Sequence, residues 1–274
     1  MSKQLSWMRE VKVRINHNNH EAVFSYQNAR DGIFEIHFTV PFSDAPRPSE
    51  CRVDLYNLSQ TSKNRIRKGA TVTIEAGYRG DVGVIARGIV NRVPPTEVSG
   101  VDKITTFFFT EGFDYSNKKD INITFAPGTR ASTILRRIAD ASGIQISQID
   151  LPRDKQYNSG YTADGDALRT LEEVADDSNA SIFFRRGDLI IRSITRGDDE
   201  RFNLSADTGL LGSPRWIEND EYTGWSFQCL LQHRIATASI ITLDSQSANG
   251  QFRVKRGSHT FDGSSFTTRC EVVL

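Results

Sequence analysis

The hydrophobic period of the chain changes twice, and these changes limit the available folds more than any other feature. Up to about residue 113, apolar residues alternate with polar ones or form short β-branched and aromatic blocks. A period of two marks a strand with one buried face. Glu10-Val11-Lys12-Val13-Arg14-Ile15 alternates strictly, and the Asn-rich stretch Asn16-His17-Asn18-Asn19-His20 reads as a turn. Strands are expected over residues 33–40, ended by Pro41 and the Pro46/Pro48 stretch, and over 51–56, 71–78, 84–93 and 101–113. Ser59 is placed to cap a short helix over 60–68 that Gly69 closes, and Arg79-Gly80-Asp81 has the chemistry of a tight turn. So many short strands with so little helix predict a closed or nearly closed antiparallel barrel.

After Pro127-Gly128 the period becomes helical. Ala131, Ile134, Leu135, Ile138 and Ala139 form one apolar stripe, with Thr129 where an N-cap belongs and Gly143 where a left-handed stop belongs. A second helix is expected from about Asp164 to Asp177, with Ala167, Leu168, Leu171, Val174 and Ala175 inward. Residues 181–185 and 189–192 flank Arg186-Gly187-Asp188 as a hairpin would. Arg196-Gly197-Asp198-Asp199-Glu200 is polar enough for a linker, and β patterns return over 224–231, 238–243, 250–255 and 266–273. The expected fold is therefore mainly β with an α+β insert: two barrel-like antiparallel β domains bracket a small two-helix α+β domain. The division is 1–118, 119–195 and 196–274, and the short third unit needs edge partners from elsewhere in the chain or from another subunit.

Composition closes several routes. Among 274 residues, 34 Lys and Arg balance 34 Asp and Glu, which argues against a general nucleic-acid binder. No run approaches the roughly twenty apolar residues of a membrane span. The start, Met1-Ser2-Lys3-Gln4-Leu5-Ser6-Trp7, lacks the apolar core of a secretory signal, so maturation in a reducing cytoplasm is expected. Cys51, Cys229 and Cys270 match no zinc or redox spacing and read as small buried hydrophobes.

Candidate chemistry is sparse. His17 and His20 are spaced i, i+3, but no carboxylate or cysteine is arranged to complete a metal site, so a surface turn is the better reading. His37 reads as a strand-surface residue, and His233 and His259 lack a nucleophile in a recognisable elbow. Glu172, Glu173, Asp176 and Asp177 read as the solvated face of the second helix rather than as a facing carboxylate pair. Asp198-Asp199-Glu200 lacks the alternation of a calcium loop. Gly77, Gly80, Gly83 and Gly88 interrupt strands and open no phosphate-binding helix. The three Arg-Gly-Asp tripeptides fall in turns or the linker, and the glycosylation tripeptides at Asn57, Asn122 and Asn203 are idle without a secretory route. No catalytic, cofactor-binding or metal-ligating residue is assigned.

The order of segments resembles one family. Phe38-Thr39-Val40-Pro41, Arg52-Val53-Asp54-Leu55-Tyr56-Asn57-Leu58-Ser59, Val72-Thr73-Ile74-Glu75-Ala76-Gly77-Tyr78 and Gly83-Val84-Ile85-Ala86-Arg87-Gly88 resemble the first part of baseplate hub proteins from tailed bacteriophages and related contractile injection systems. Tyr157-Asn158-Ser159-Gly160-Tyr161 and Phe183-Phe184-Arg185-Arg186-Gly187-Asp188-Leu189 are similar to their middle domain. Gly224-Trp225, Cys229-Leu230-Leu231, Asn249-Gly250-Gln251-Phe252-Arg253-Val254, His259 and Phe266 resemble the closing barrel.

The resemblance implies a non-enzymatic virion protein of the tail baseplate, assembled in the host cytoplasm. It implies a homotrimer whose two tube-like barrels per subunit present six in a ring. Its expected partners are a tail tube or tube-initiator protein above, a spike or tail-tip protein below and other baseplate proteins, with DNA only in transit and no membrane insertion. The family often carries a fused lytic or spike module; here the last strand pattern ends at Leu274, so wall-degrading activity is expected in a separate protein. Two alternatives stand beside this reading. The 119–195 unit is a glycan-binding module if Tyr157, Tyr161, Phe183 and Phe184 stack on sugars; a hydrolase would instead use the Glu and Asp residues.

Overall fold

A computed structural model of the chain describes residues 8–18, 20–27, 34–112, 120–196 and 199–273. Its first part comprises β1 (Arg9–His17), β2 (His20–Gln27), β3 (Ile36–Ser43), β4 (Glu50–Tyr56), α1 (Gln60–Lys63), β5 (Thr71–Tyr78), β6 (Asp81–Arg92), β7 (Glu97–Ser99) and β8 (Asp102–Glu111). The middle part comprises β9 (Ile121–Phe125), β10 (Thr129–Arg130), α2 (Ala131–Ser142), β11 (Ile146–Asp150), β12 (Gln156–Tyr157), β13 (Tyr161–Gly165), α3 (Ala167–Asp176), β14 (Ser181–Arg185) and β15 (Asp188–Arg192). The last part comprises β16 (Arg201–Leu204), β17 (Leu210–Glu218), β18 (Thr223–Leu230), β19 (Ile240–Asp244), β20 (Asn249–Phe261) and β21 (Phe266–Val273). The fold is mainly β with a small two-helix insert.

Both outer parts share one sheet. Its strands follow the order β17-β18-β21-β20-β3-β4-β8-β6-β5-β1-β2, and β7, β16 and β19 attach beside this path. The expected ring closure is not found: no hydrogen-bonded pairing joins β2 to the far end of the path among the described residues. Aromatic side chains instead tie the first part to β20 and β21. The Tyr26 ring meets Phe261 edge-on at 4.9 Å, and Tyr78 meets Phe266 at 5.3 Å.

The junction of the two outer parts is β20, whose 13 residues run well past the expected end at 255. Asn249 to Arg253 pair with β19, the register shifts between Val254 and Arg256, and Arg256 to Phe261 pair with β3. A bulge re-aims a strand without ending it, so one strand serves two lobes. At the crossing, a Cβ on Gly257 would lie 2.3 Å from the Arg269 carbonyl oxygen and 2.6 Å from Phe42 Cζ. The Phe42 ring occupies the space that glycine leaves.

Cores follow this sharing. The first includes Val13, Ile74, Phe107 and Phe109, and also Leu231, Phe261 and Phe266 from the last part of the chain. Another gathers Phe227, Ile241, Phe252, Val254 and Val272, with Phe42 from β3. The helical insert has its own core, in which Ile134, Leu135 and Ile138 of α2 meet Leu168, Leu171 and Val174 of α3. Every position of the two predicted apolar stripes is buried.

Differences from the sequence reading have local causes. The expected turn over 16–20 gives way at His20 to β2, a strand without a counterpart in the sequence reading, along which Ala22, Phe24 and Tyr26 alternate inward. β3 runs through Pro41 because its pairing with β4 stops at Thr39, so no ladder bond on that side needs the missing N–H. α1 spans only Gln60–Lys63, with Ser59 Oγ accepting from the Ser62 N–H at 3.2 Å. α2 is capped from a distance. Asp154, rather than Thr129, accepts from the Ser132 N–H at 2.9 Å and the Ser132 hydroxyl at 2.9 Å. α3 starts after Asp166, whose carboxylate accepts the Arg169 N–H at 3.0 Å, because Asp164 belongs to β13. The strands β16 and β17 were not anticipated, and the ends of the predicted 33–40 and 101–113 segments, at Ile33 and Phe113, lie outside the described residues.

Replacing Gly257 by alanine forces its methyl into backbone and the Phe42 ring. Overpacking of this kind costs about 1–3 kcal/mol, and thermal or urea denaturation of Gly257→Ala is expected to show a loss in that range. An unchanged midpoint would mean that the β3–β20 crossing has slack.

Candidate functional site at the three-way junction

The β14–β15 hairpin turns through Arg186 and Gly187, with φ of 55° and 95°. Positive φ at both central residues gives the turn whose twist matches the flanking strands. This tip reaches out of the insert onto the first lobe. The Gly187 N–H donates to Glu111 Oε1 at 2.9 Å, and a Cβ on Gly187 would sit 2.8 Å from Arg87 Cβ. Glu111 is buried, and burial pushes its carboxyl up to about 7 against the pull of the Gly187 and Arg186 backbone donors.

A second contact set ties the insert to the last lobe. Asp199, with only 5% of its side chain exposed, accepts from Arg185 Nη1 at 2.9 Å, from Arg253 Nη1 at 2.6 Å and from Arg192 Nη2. Arg192 is itself buried and also donates to the carbonyls of Ser193 and Arg196. Glu200 receives Arg186 Nη2 at 2.9 Å. The segment expected as a polar linker is thus a staple, with residues 197 and 198 outside the described set. An apolar patch of Phe183, Ile190, Ile194 and Ala238, against Val273, backs the ion cluster.

Between the three parts lies a cleft of about 500 Å³, lined by Gly83, Val84, Arg87, Arg185, Arg186, Asp188, Ile190, Glu200, His233 and Arg234. Arg234 Nη2 holds Asp81 at 2.7 Å, and the His233 ring fills the space above Gly83, where a Cβ would meet its Cδ2 at 2.2 Å. Burial lowers the affinity of His233 for a proton. His259 lies deeper. Its Nε2 donates to the Ile235 carbonyl at 3.1 Å and its Nδ1 accepts from Thr268 Oγ1 at 2.8 Å, and burial pushes its pKa down to about 3. It is a neutral structural link, not an acid–base group near pH 7.

The other residues weighed from the sequence are dispersed. His17 and His20 face each other across the β1–β2 hairpin beside Arg65 and Arg67. His37 is half-buried rather than on the open strand surface, bonded to Glu35 Oε1 at 2.7 Å and to the Tyr56 hydroxyl at 3.1 Å. Among the described residues no group of three or more His, Cys, Asp or Glu is placed to hold a metal ion. On α3, Glu173 pairs with Arg169 at 3.2 Å. Just beyond it, Lys155 and the Tyr157 hydroxyl hold the Asp177 carboxyl below its usual range. Of the four aromatics weighed for sugar stacking, Phe183 and Phe184 are fully enclosed and Tyr157 nearly so, while Tyr161 is half-buried with its hydroxyl on Glu173 at 3.4 Å. All three cysteines are free and buried, and burial pushes the Cys229 thiol up to about 12. No helix among the described residues is long and apolar enough to cross a membrane.

What the surface offers is assembly features. The sheet path ends on β2 and β17, so each carries an edge without a strand partner among the described residues. On β17, Trp216 is 53% exposed and stacks edge-on against Trp225 at 5.2 Å. Val98 and Val101 stand out at the tip of the β7–β8 hairpin.

The model of the baseplate hub gp41 family matches residues 51–262, well over half of the chain. The chain belongs to the baseplate hub gp41 family. It is thus a structural protein of the tail baseplate. No curated protein sequence matches the hub. Solved structures similar to it include a tail protein from Neisseria meningitidis MC58, with a TM-score of 0.67 at 6% identity over 96% of both chains. The 43 kDa tail protein of prophage MuSo2 from Shewanella oneidensis gives 0.64 at 8% identity, covering 96% of the hub and 98% of that chain. An Escherichia coli component of the type VI secretion system, described as similar to the T4 tail proteins gp27 and gp5, gives 0.61 at 6% identity over 90% and 75%. At such identities the likeness is one of fold.

Two measurements probe the junction. Glu111 in the folded hub holds its proton up to about pH 7, whereas the unfolded group, near 4.5, releases it earlier. Stability from this group therefore falls as pH rises between those values, by about 3 kcal/mol, and is level outside them. Glu111→Gln keeps an acceptor for Gly187 but cannot titrate, so the wild-type-minus-variant stability difference should drop across that window; a flat difference refutes the assignment. Asp199→Ala removes the buried carboxylate that three arginines share, and a loss of about 3–5 kcal/mol is expected from calorimetry.

Proposed function

We propose that the hub is a trimeric adaptor between the hexameric tail tube and a trimeric central spike or tail tip, and that it lines part of the axial channel. The observation that carries this reading is the pair of β lobes, each with its own core, on one shared sheet. Two comparable lobes per subunit let three copies offer six contacts upward and three downward. The units 1–118, 119–195 and 196–274 then take the parts of a tube-like lobe, an insert and a second lobe that borrows β3.

The distinct edges β2 and β17 support a head-to-tail ring, since an association that joins two different surfaces closes when the rotation permits. Balanced charge suits a conduit, because a strongly basic lumen would retain phosphates. The hub acts without a reaction of its own in this reading: its buried histidine is neutral and its α3 carboxylates are engaged or solvated. Its partners are a tube or tube-initiator protein above, a spike or tip protein below and other baseplate proteins, with assembly in the host cytoplasm before incorporation into the virion.

Sedimentation equilibrium of the purified hub is expected to give three times the mass of the chain, through interfaces above roughly 2,000 Å² of total buried area. A species of another order, or a particle reconstruction with this chain off the central axis, removes the proposal.

A further inference from the structure

Most cations of the junction cleft are already spent. Arg185 is bound to Asp199 and Glu200, Arg186 Nη2 to Glu200 and the Arg234 carbonyl, and Arg234 to Asp81. Two donors are left over. The side chain of Arg87 is exposed on β6 and makes no hydrogen bond or ion pair with a described residue, and Arg186 commits only Nη2, to Glu200 and the Arg234 carbonyl, while its Nε is enclosed. A guanidinium without an acceptor at the wall of a cleft calls for an anion. The cleft also presents the apolar Val84 and Ile190 and the carboxylates Asp188 and Glu200. Those carboxylates repel a continuous phosphate backbone but leave room for a single carboxylate on an aliphatic stem.

The complementary feature is on the same chain. The β17–β18 hairpin ends in Glu218-Asn219-Asp220-Glu221, all exposed. Asn219 Oδ1 accepts the N–H groups of Glu221 at 2.9 Å and Tyr222 at 3.0 Å, which ties the tip into one shape. Glu218 accepts from Trp216 Nε1 at 3.3 Å, whereas Asp220 and Glu221 have no ion pair with a described residue. The acidic tip and the exposed Trp216 share one hairpin on the terminal strand of the sheet, and an aromatic beside charges is a common composition for an interface anchor.

We propose that the arginine cleft of one hub subunit receives the acidic 218–221 tip of a second copy, with Asp220 or Glu221 seated on Arg87 and Arg186. This rests on the ring reading above and names its contact. Tip and cleft are different surfaces, so the contact is head-to-tail and propagates around a ring.

The test uses the full chain. Arg87 has no partner to lose, so Arg87→Glu should melt like wild type, yet dissociate at roughly tenfold lower salt-corrected affinity in sedimentation equilibrium. The double variant Asp220→Lys/Glu221→Lys should do the same, and combining all three changes in one chain, which inverts every contact of the ring, should restore the trimer. If wild type forms trimers and both variants trimerise equally well, the contact is wrong and the ring reading stands. If wild type is monomeric at every concentration, the ring reading fails and this inference with it. Recovery of association in the combined variant, absent in either parent variant, is the result that supports the proposal.

Discussion

The pairing of β3 with β20 is the constraint on which the rest of the hub depends. It places residues 38–43 beside residues 256–261, so neither outer lobe can fold to completion without the other. Two strands are shared, and both lobes exchange core residues across the seam: Phe261 and Phe266 in one direction, Phe42 in the other. The bulge near Val254 and the bare Cα of Gly257 make the crossing sterically feasible. A seam of backbone hydrogen bonds with interleaved aromatics resists hinge motion far better than two domains touching through side chains.

The insert is attached differently. Its own helices and sheets form a separate core, and its link to the lobes is largely electrostatic: the Glu111–Gly187 bond on one side and the Asp199 arginine cluster on the other. Buried charges are costly to desolvate and contribute little net stability, but they tolerate only one geometry. They fix the angle of the insert where the apolar patch of Phe183, Ile190, Ile194 and Ala238 alone would permit sliding. The same economy explains why the cleft has cations to spare. Arginines gathered to hold Asp199 and Glu200 leave Arg87 and one edge of Arg186 unmatched.

Much of this was legible locally. The stripe from Ala131 to Ala139, the stop at Gly143 and the Arg186-Gly187 turn depend on neighbours within a few residues, and they stand as read. Features whose partner lies far away in sequence leave no such local trace. Asp154 caps α2 across 22 residues, and β20 continues past Lys255 between β21 and the distant β3. Asp199 looked like part of a linker because Arg253, 54 residues on, gives no local sign of its approach. β2 is different, since the alternation of Ala22, Phe24 and Tyr26 is a local signal present in the sequence.

By itself, then, the sequence determined the class of the hub: where strands give way to helices and return, which helix faces are apolar, and the order of segments that marks its family. Those properties are set by short-range backbone preference and by the burial of one face, both of which repeat with the period of the element. Only the tertiary structure decided that the outer lobes share strands, that the sheet stays open, and that three arginines converge on one aspartate. These follow from contacts between segments up to about 220 residues apart (Phe42 and Phe261 lie on opposite sides of the seam), and side-chain periodicity carries no record of which edge a strand will meet.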